Sequence, residues 1–192
     1  MAQVHSSPAA NYDFRSPSRR WRSALELVAV VVLFMAGVVW FGGAFPNRDA
    51  LWFYARFDEQ PAYIRIYHYG TVREIGPADS GFGPLVQAVN ADIAQVDGYV
   101  ESLQPRGTSL ESYTQKGYAI ELVYRAPVQI HTRQFFPAAP RLLIAIDGSY
   151  DYIGYLLLFR GSADMWLPNA LALKSLDRTR TAVDAILAAA SQ

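Results

Sequence analysis

One uninterrupted apolar run constrains this chain more than any other feature of its sequence. Residues 24–45 read ALELVAVVVLFMAGVVWFGGAF, and Glu26 is the only charged side chain among them. As a helix rising about 1.5 Å per residue, the run would be roughly 33 Å long, which is enough to cross a hydrocarbon core of about 30 Å. A single segment crossing lipid can pair all its backbone polar groups internally only as a helix. The run therefore predicts a transmembrane helix over residues 24–45.

The charges on either side of this helix indicate its orientation. Four arginines and one aspartate precede it, whereas Arg48 and Asp49, which follow it, cancel each other. Because positive charge is retained on the cytoplasmic side, we expect a single-pass protein of the inner or plasma membrane, with its N-terminus in the cytoplasm and its C-terminal part outside. The residues expected to anchor the helix in the bilayer and its interfaces are Trp21, Leu27, Val31, Phe34, Val38, Trp40 and Phe41.

Two other interpretations of the apolar run remain open. It could be the core helix of a soluble domain, although an uncharged run of this length seldom serves a small core. It could also be a cleavable signal peptide removing residues 1–44, with Gly42 and Ala44 as the small residues before the cut. A signal peptide has an apolar stretch of only about 7–15 residues. The longer run and the long N-terminal arm favour a retained anchor.

Composition narrows the class of protein that follows the anchor. Lysine and arginine number 17, as do aspartate and glutamate, so there is no basic surplus of the kind that nucleic-acid binding requires. The chain contains no cysteine, which excludes disulfides, thiolate nucleophiles and cysteine-ligated metals. We predict a disordered cytoplasmic tail over 1–23, a juxtamembrane connector over 46–60 and one extracytoplasmic domain over 61–192.

The order of apolar patterns in that domain predicts an α+β fold. The expected elements are two strands within 63–75 separated at Tyr69, a helix over 85–96 continuing irregularly to 103, strands over 118–124 and 128–132, a hairpin formed by 141–147 and 152–160, and a helix capped by Ser175. Strand pairs grouped with two main helices indicate a mostly antiparallel sheet with helices on one face.

Candidate catalytic residues are few and carry no recognisable spacing. His68, His131 and Asp147 could form a metal site or an acid–base pair, but no H-E-x-x-H pattern or other ligand spacing is present. Ser80 and Ser149 lie near glycines without matching G-x-S-x-G. The glycines at 81 and 83 precede a helix but match no phosphate-binding motif. The sequence therefore assigns no catalytic residue, metal or cofactor.

Tyrosine is the one residue type that suggests a binding surface. Tyr63, Tyr67 and Tyr69 alternate along one predicted strand with Arg65 between the first two. Tyrosine and arginine are favoured in contact sites, so this set could form an aromatic platform. Alternatively, the tyrosines only cover the solvent-facing side of a sheet and stabilise it through cross-strand pairs.

A clear anchor without a catalytic constellation favours a non-catalytic function. We expect the exported domain to act as a binding or accessory module for a protein partner or an envelope ligand. The expected partners are the lipid bilayer and another membrane or envelope protein, and no nucleic acid. The alternatives are a membrane-anchored envelope hydrolase, or a structural subunit of a larger membrane complex held through the span and the aromatic segment 51–57.

Overall fold

The computed structural model of the chain describes residues 17–54, 56–132, 136–147 and 156–190. The chain divides between Gly42 and Gly43 into two compact units. Most of the predicted tail lies outside the described residues, and its last part, from Pro17 onward, is helical. The helix therefore begins earlier than the apolar run itself.

The described part of the first unit belongs to this helix, α1, which spans Pro17–Asn47 and extends into the first residues of the second unit. Its part from Trp21 to Pro46 is long and apolar enough to cross a membrane. Such a helix is compatible with a single membrane span or with a signal sequence. All of the predicted anchor side chains are exposed on it, namely Trp21, Leu27, Val31, Phe34, Val38, Trp40 and Phe41.

The second unit is built on a seven-stranded sheet with the order β2-β1-β4-β5-β6-β7-β3. Every neighbouring pair of strands is antiparallel. The strands are β1 Tyr63–His68, β2 Thr71–Ile75, β3 Val96–Val100, β4 Tyr118–Val128, β5 Ala139–Asp147, β6 Leu156–Gly161 and β7 Trp166–Leu173. The helices are α2 Phe82–Ile93, the short α3 Thr108–Glu111, which runs into a π-helical turn over Ser112–Lys116, and α4 Asp177–Ala190. The expected α+β class and antiparallel sheet are confirmed.

The predicted break at Tyr69 is a two-residue hairpin between β1 and β2. Tyr69 and Gly70 have φ angles of 45° and 89°, the left-handed conformation that tight hairpin turns of this kind require. Ile64 and Ile66 alternate with more exposed residues along β1 and are buried in the core. The period of two in the sequence therefore identified this hairpin correctly.

The two faces of the sheet are covered differently. The main core lies between one face and the helices α2 and α4, which supply Leu85, Val89 and Val183 to it. On the opposite face, the short helical segment 108–116 covers only part of the sheet and buries Tyr113 against Phe159. The remainder of this second face is available to polar side chains.

One predicted helix was too long. Instead of continuing to residue 103, α2 ends at Ile93, and Val96–Val100 form the edge strand β3, which pairs with β7. Val96 continues the helical spacing of apolar residues, which explains the error. Gly98 and the β-branched residues around it favour a strand, and pairing with β7 provides the hydrogen bonds that make one.

The later strands also differ from the prediction in detail. β4 continues through Pro127 to Val128, with a register shift after Val123, and residues 129–132 are not a strand. β5 and β6 pair as the predicted hairpin, but the turn and residues 152–155 lie outside the described residues. β7 was not predicted, since Pro168 interrupts its pattern.

Candidate functional site

The less covered face of the sheet carries a cluster of charged and aromatic side chains near β1. Its members, called here the tyrosine–arginine patch, are Tyr63, Arg65, Tyr67, Glu74, Glu121 and Arg141. These residues alternate along their strands with the core residues of the other face, and strand register brings them together. Arg65 lies opposite Glu74 on β2 and opposite Glu121 on β4. Three of the four tyrosine and arginine residues predicted from the sequence therefore belong to one cluster.

Glu121 is the centre of this patch. Its side chain is only 1% exposed, and its carboxylate accepts hydrogen bonds from Arg141 Nε at 2.6 Å and from the Tyr67 hydroxyl at 2.6 Å. Arg65 Nη1 lies 3.9 Å from the second carboxylate oxygen, and Arg65 Nε donates to Glu74 at 3.1 Å. A buried carboxylate with this many donors is held in one position.

Tyr67 and Arg141 are each fixed by more than the carboxylate. Burial raises the pKa of Tyr67, and its hydrogen bond to Glu121 raises that pKa further, so the hydroxyl remains a neutral donor. Arg141 also donates to the carbonyl oxygens of Ser162 and Ala163 at 3.0 and 2.8 Å. Its guanidinium lies 4.8 Å from the centroid of the Trp166 ring. The base of the patch is therefore rigid.

The outer part of the patch is more accessible. The Arg65 side chain is 36% exposed and lies over the Tyr63 ring, 4.9 Å from its centroid. The two arginines and two glutamates balance in formal charge. A partly exposed ring and guanidinium beside a rigid base of balanced charge can make planar apolar and hydrogen-bonded contacts, which is typical of protein contact sites.

Tyr69, the fourth predicted residue, lies beyond β1 in the hairpin turn. It is 56% exposed, and its hydroxyl donates to Asp147 Oδ2 at 2.7 Å. The strand alternation assumed for all four residues therefore ends before Tyr69, because the turn changes the direction of the backbone.

The two histidines of the domain have separate partners. His68 makes edge contacts with the rings of Tyr69 and Tyr118, at centroid distances of 4.8 and 5.1 Å. His131 Nδ1 lies 2.8 Å from a carboxylate oxygen of Asp49 and borders a cavity that neither His68 nor Asp147 lines. Within the described part of the chain, no three His, Asp or Glu side chains group so as to hold a metal ion.

The serine and glycine candidates are explained by local structure. Ser80 lies in the turn before α2, and Ser149 is outside the described residues. A Cβ atom on Gly81 would lie 2.6 Å from the Ile186 side chain of α4. Glycine is therefore required there by the close approach of the two helices, which accounts for it without an anion.

Sequence reasoning missed Glu74, Glu121 and Arg141. The available signal was Glu121 itself, a single charge between the apolar residues Ile120 and Leu122. A charge inside an apolar strand needs a partner. The identity of that partner depends on strand order, which local patterns do not contain.

Comparison with known proteins adds no relative, since no protein-family model, no curated protein and no solved structure matches the chain. The class that the fold defines is an α+β unit preceded by a long apolar helix.

Proposed function

We propose that the chain is a single-pass membrane protein whose folded unit lies outside the cytoplasm and acts as a non-catalytic binding or accessory module. Its partner would be another membrane or envelope protein, bound through the tyrosine–arginine patch. The observation that carries this proposal is the combination of a rigid buried base at Glu121 with the partly exposed side chains of Tyr63 and Arg65 beside it.

The physical argument is one of preorganisation. Contact sites gain affinity when aromatic and arginine side chains are ordered before the partner arrives, because less conformational entropy is then lost on binding. Arg65 is ordered by Glu74 and by the Tyr63 ring, and its outer surface remains exposed. If the patch only stabilised the pairing of the strands, Arg65 would not need to remain partly exposed.

Membrane anchoring is tested by carbonate extraction and protease access. We expect the full chain to remain in carbonate-washed membranes at its full length, because the apolar helix is retained in lipid. Protease added to intact spheroplasts should degrade the folded unit and leave the N-terminal arm. Release by carbonate, a shortened N-terminus or protection of the C-terminal part would contradict the proposed topology.

Binding is tested by cross-linking in native membranes and identification of the captured proteins. The test variant carries Tyr63→Ser and Arg65→Ser, which leave Glu121, Arg141 and Tyr67 intact. We expect the specific cross-linked partners of the wild-type chain to be lost. The matched control, Arg125→Ser, changes an exposed arginine on β4 outside the patch and should retain them.

A second variant substitutes all four residues predicted from the sequence, Tyr63, Arg65, Tyr67 and Tyr69. Adding Tyr67→Ser and Tyr69→Ser to the double variant should not restore any partner. For both variants, circular dichroism must show that the sheet is folded. A folded double variant that captures the same partners as wild type would show that the patch is only a stabilised sheet surface.

A further inference from the structure

A cavity of about 730 Å³ lies at the opposite edge of the sheet from β2, beside the edge strand β3. Its volume is in the range of sites that hold small organic ligands. Aromatic side chains form much of its wall, and aliphatic residues of α2, β3 and β7 contribute to it. The aromatic residues are Trp52, Phe53, Phe57 and Tyr99.

One wall residue of the cavity contacts Gly43, the first residue of the second unit. Trp52, one of its wall residues, packs directly on the backbone of Gly43, where a Cβ atom would lie 2.1 Å from the indole ring. Gly43 belongs to the apolar stretch of α1 and to the same compact unit as the cavity. In an anchored protein this contact places Trp52 at the depth of the lipid headgroups, where tryptophan is favoured.

The segment that joins helix and cavity is held in place by a second contact. The Asp49 carboxylate lies 2.8 and 3.0 Å, through its two oxygens, from His131 Nδ1. His131 lines the cavity, and the side chain of Asp49 is only 9% exposed. The wall formed by Trp52, Phe53 and Phe57 is therefore attached within the second unit, through Gly43 on one side and through the Asp49–His131 contact on the other.

The cavity also carries charges of both signs. Arg56 and Asp97 are both lining residues. Arg56 forms an ion pair with Asp58 in which both side chains are largely exposed, 64% and 65%. Exposed pairs of this kind are weak, so the guanidinium can exchange its partner for another anion. Asp97 on β3 is exposed and supplies the negative charge.

From these observations we infer that the cavity binds the headgroup of a zwitterionic phospholipid from the adjoining leaflet. Arg56 would receive the phosphodiester, while Asp97 and the aromatic wall would receive the ammonium group, since aromatic rings and carboxylates both attract cations. An anionic lipid leaves Asp97 opposed to a like charge, and a purely apolar ligand makes no contact that uses the charge of Arg56 or Asp97. This inference rests on the membrane anchoring proposed above.

Native mass spectrometry of the full chain in mild detergent tests the inference. The probes are phosphatidylethanolamine and phosphatidylglycerol with identical acyl chains, added at equal concentration. We expect one phosphatidylethanolamine to be retained per chain, with a preference of about three- to fivefold over phosphatidylglycerol, as one additional exposed charge contact would provide. Equal retention of the two lipids, or of neither, would overturn the inference.

Substitutions identify the cavity as the site. Asp97→Asn should abolish the preference for phosphatidylethanolamine, and Arg56→Gln should weaken retention of both lipids. The matched controls, Asp164→Asn and Arg125→Gln, remove exposed charges elsewhere in the unit and should behave as wild type. If the controls have the same effect as the cavity variants, the retained lipid is bound elsewhere.

Two further measurements separate this inference from its alternatives. Glycerophosphoethanolamine, the soluble headgroup without acyl chains, should compete poorly. Competition equal to that of the intact lipid would show that the ligand is a soluble phosphodiester. Carbonate extraction reports on anchoring independently. A chain that stays in washed membranes without any lipid preference contradicts only the cavity, whereas a chain released by carbonate contradicts the anchor.

Discussion

At the scale of single residues, buried polar groups decide how the domain tolerates change. Glu121 is 1% exposed and satisfied by Arg141 and Tyr67, whereas the Tyr124 hydroxyl is buried without a hydrogen-bond partner among the described residues. Removing a buried group that is hydrogen-bonded lowers stability strongly, since its partners are then left unpaired. Removing a buried group that has no partner costs little. The two positions should therefore respond differently to substitution.

Glu121→Ala should destabilise the domain strongly. It leaves a largely buried guanidinium and a tyrosine hydroxyl without their acceptor, and loss of one partner of such a pair typically costs about 3–5 kcal/mol. Urea unfolding of the full chain in mild detergent, followed by tryptophan fluorescence, measures the free energy of unfolding. Glu74→Ala is the control, because that side chain is 55% exposed and its pair should contribute less than about 1 kcal/mol. Equal losses at the two positions would contradict this account of the patch.

Two tyrosines provide a matched pair for hydroxyl removal. Tyr118→Phe removes a donor that reaches Asp184 Oδ1 at 2.9 Å and should lower the free energy of unfolding by about 1 kcal/mol. Tyr124→Phe removes the hydroxyl without a partner and should leave stability unchanged or raise it. The same urea measurement compares them. A larger loss for Tyr124→Phe would show that its hydroxyl makes a contact, for example with bound water.

At the scale of elements, α2 and α4 stabilise each other through a buried cap. Asp92 on α2 is 1% exposed and accepts hydrogen bonds from the Thr179 backbone N–H at 3.0 Å and from its hydroxyl at 2.8 Å. The cap comes from another helix, in addition to the predicted local cap, in which Ser175 Oγ accepts from the Asp177 N–H at 3.1 Å. A carboxylate at a helix N-terminus also complements the helix dipole.

Asp92→Ala should lower the free energy of unfolding by about 2 kcal/mol, because both donors of Thr179 lose their acceptor. Thr179→Val is the matched control. It keeps the shape of the side chain and the backbone hydrogen bond, so its loss should be smaller. Thermal unfolding followed by circular dichroism at 222 nm compares the two variants. A greater loss for Thr179→Val would mean that the hydroxyl, and not the helix cap, carries the stabilisation.

Elements also show where local sequence patterns fail. The β1–β2 hairpin could be predicted because alternation and a tyrosine–glycine turn are both local. β3 could not, because Val96 fits the helical spacing of α2, and only pairing with β7 makes a strand more stable than another helical turn. β7 contains Pro168 and Asn169 and was missed for the same reason: its strand conformation depends on its neighbours.

At the scale of the whole molecule, alkaline pH should destabilise the domain. Burial is the first cause that raises the pKa of Tyr67, Tyr118 and Tyr124 in the folded chain. In the unfolded chain a tyrosine ionises near pH 10. The stabilisation from a neutral buried tyrosine is therefore complete below about pH 10 and is lost as pH rises toward the folded-state pKa.

The corresponding measurement is the urea midpoint as a function of pH, from neutral to about pH 11.5. It should stay level up to about pH 9.5 and then fall. The triple variant with phenylalanine at these three positions should show a shallower alkaline decline of the urea midpoint than wild type. The control Tyr54→Phe, at an exposed tyrosine outside the sheet, should show the same decline as wild type. An identical alkaline decline in the triple variant would assign the effect to other groups.

The sequence by itself determined the apolar helix, the α+β class and the hairpin, because hydropathy, alternation and turn chemistry act over a few neighbouring residues. The tertiary structure alone decided that Glu121 has Arg141 and Tyr67 as partners, that Gly81 is required beside Ile186, and that the segment after the apolar helix forms the wall of a cavity. Each of these depends on which distant strands and helices become neighbours. That choice is made by the packing of the whole unit, where burial requires every charge and every close approach to find a complementary partner.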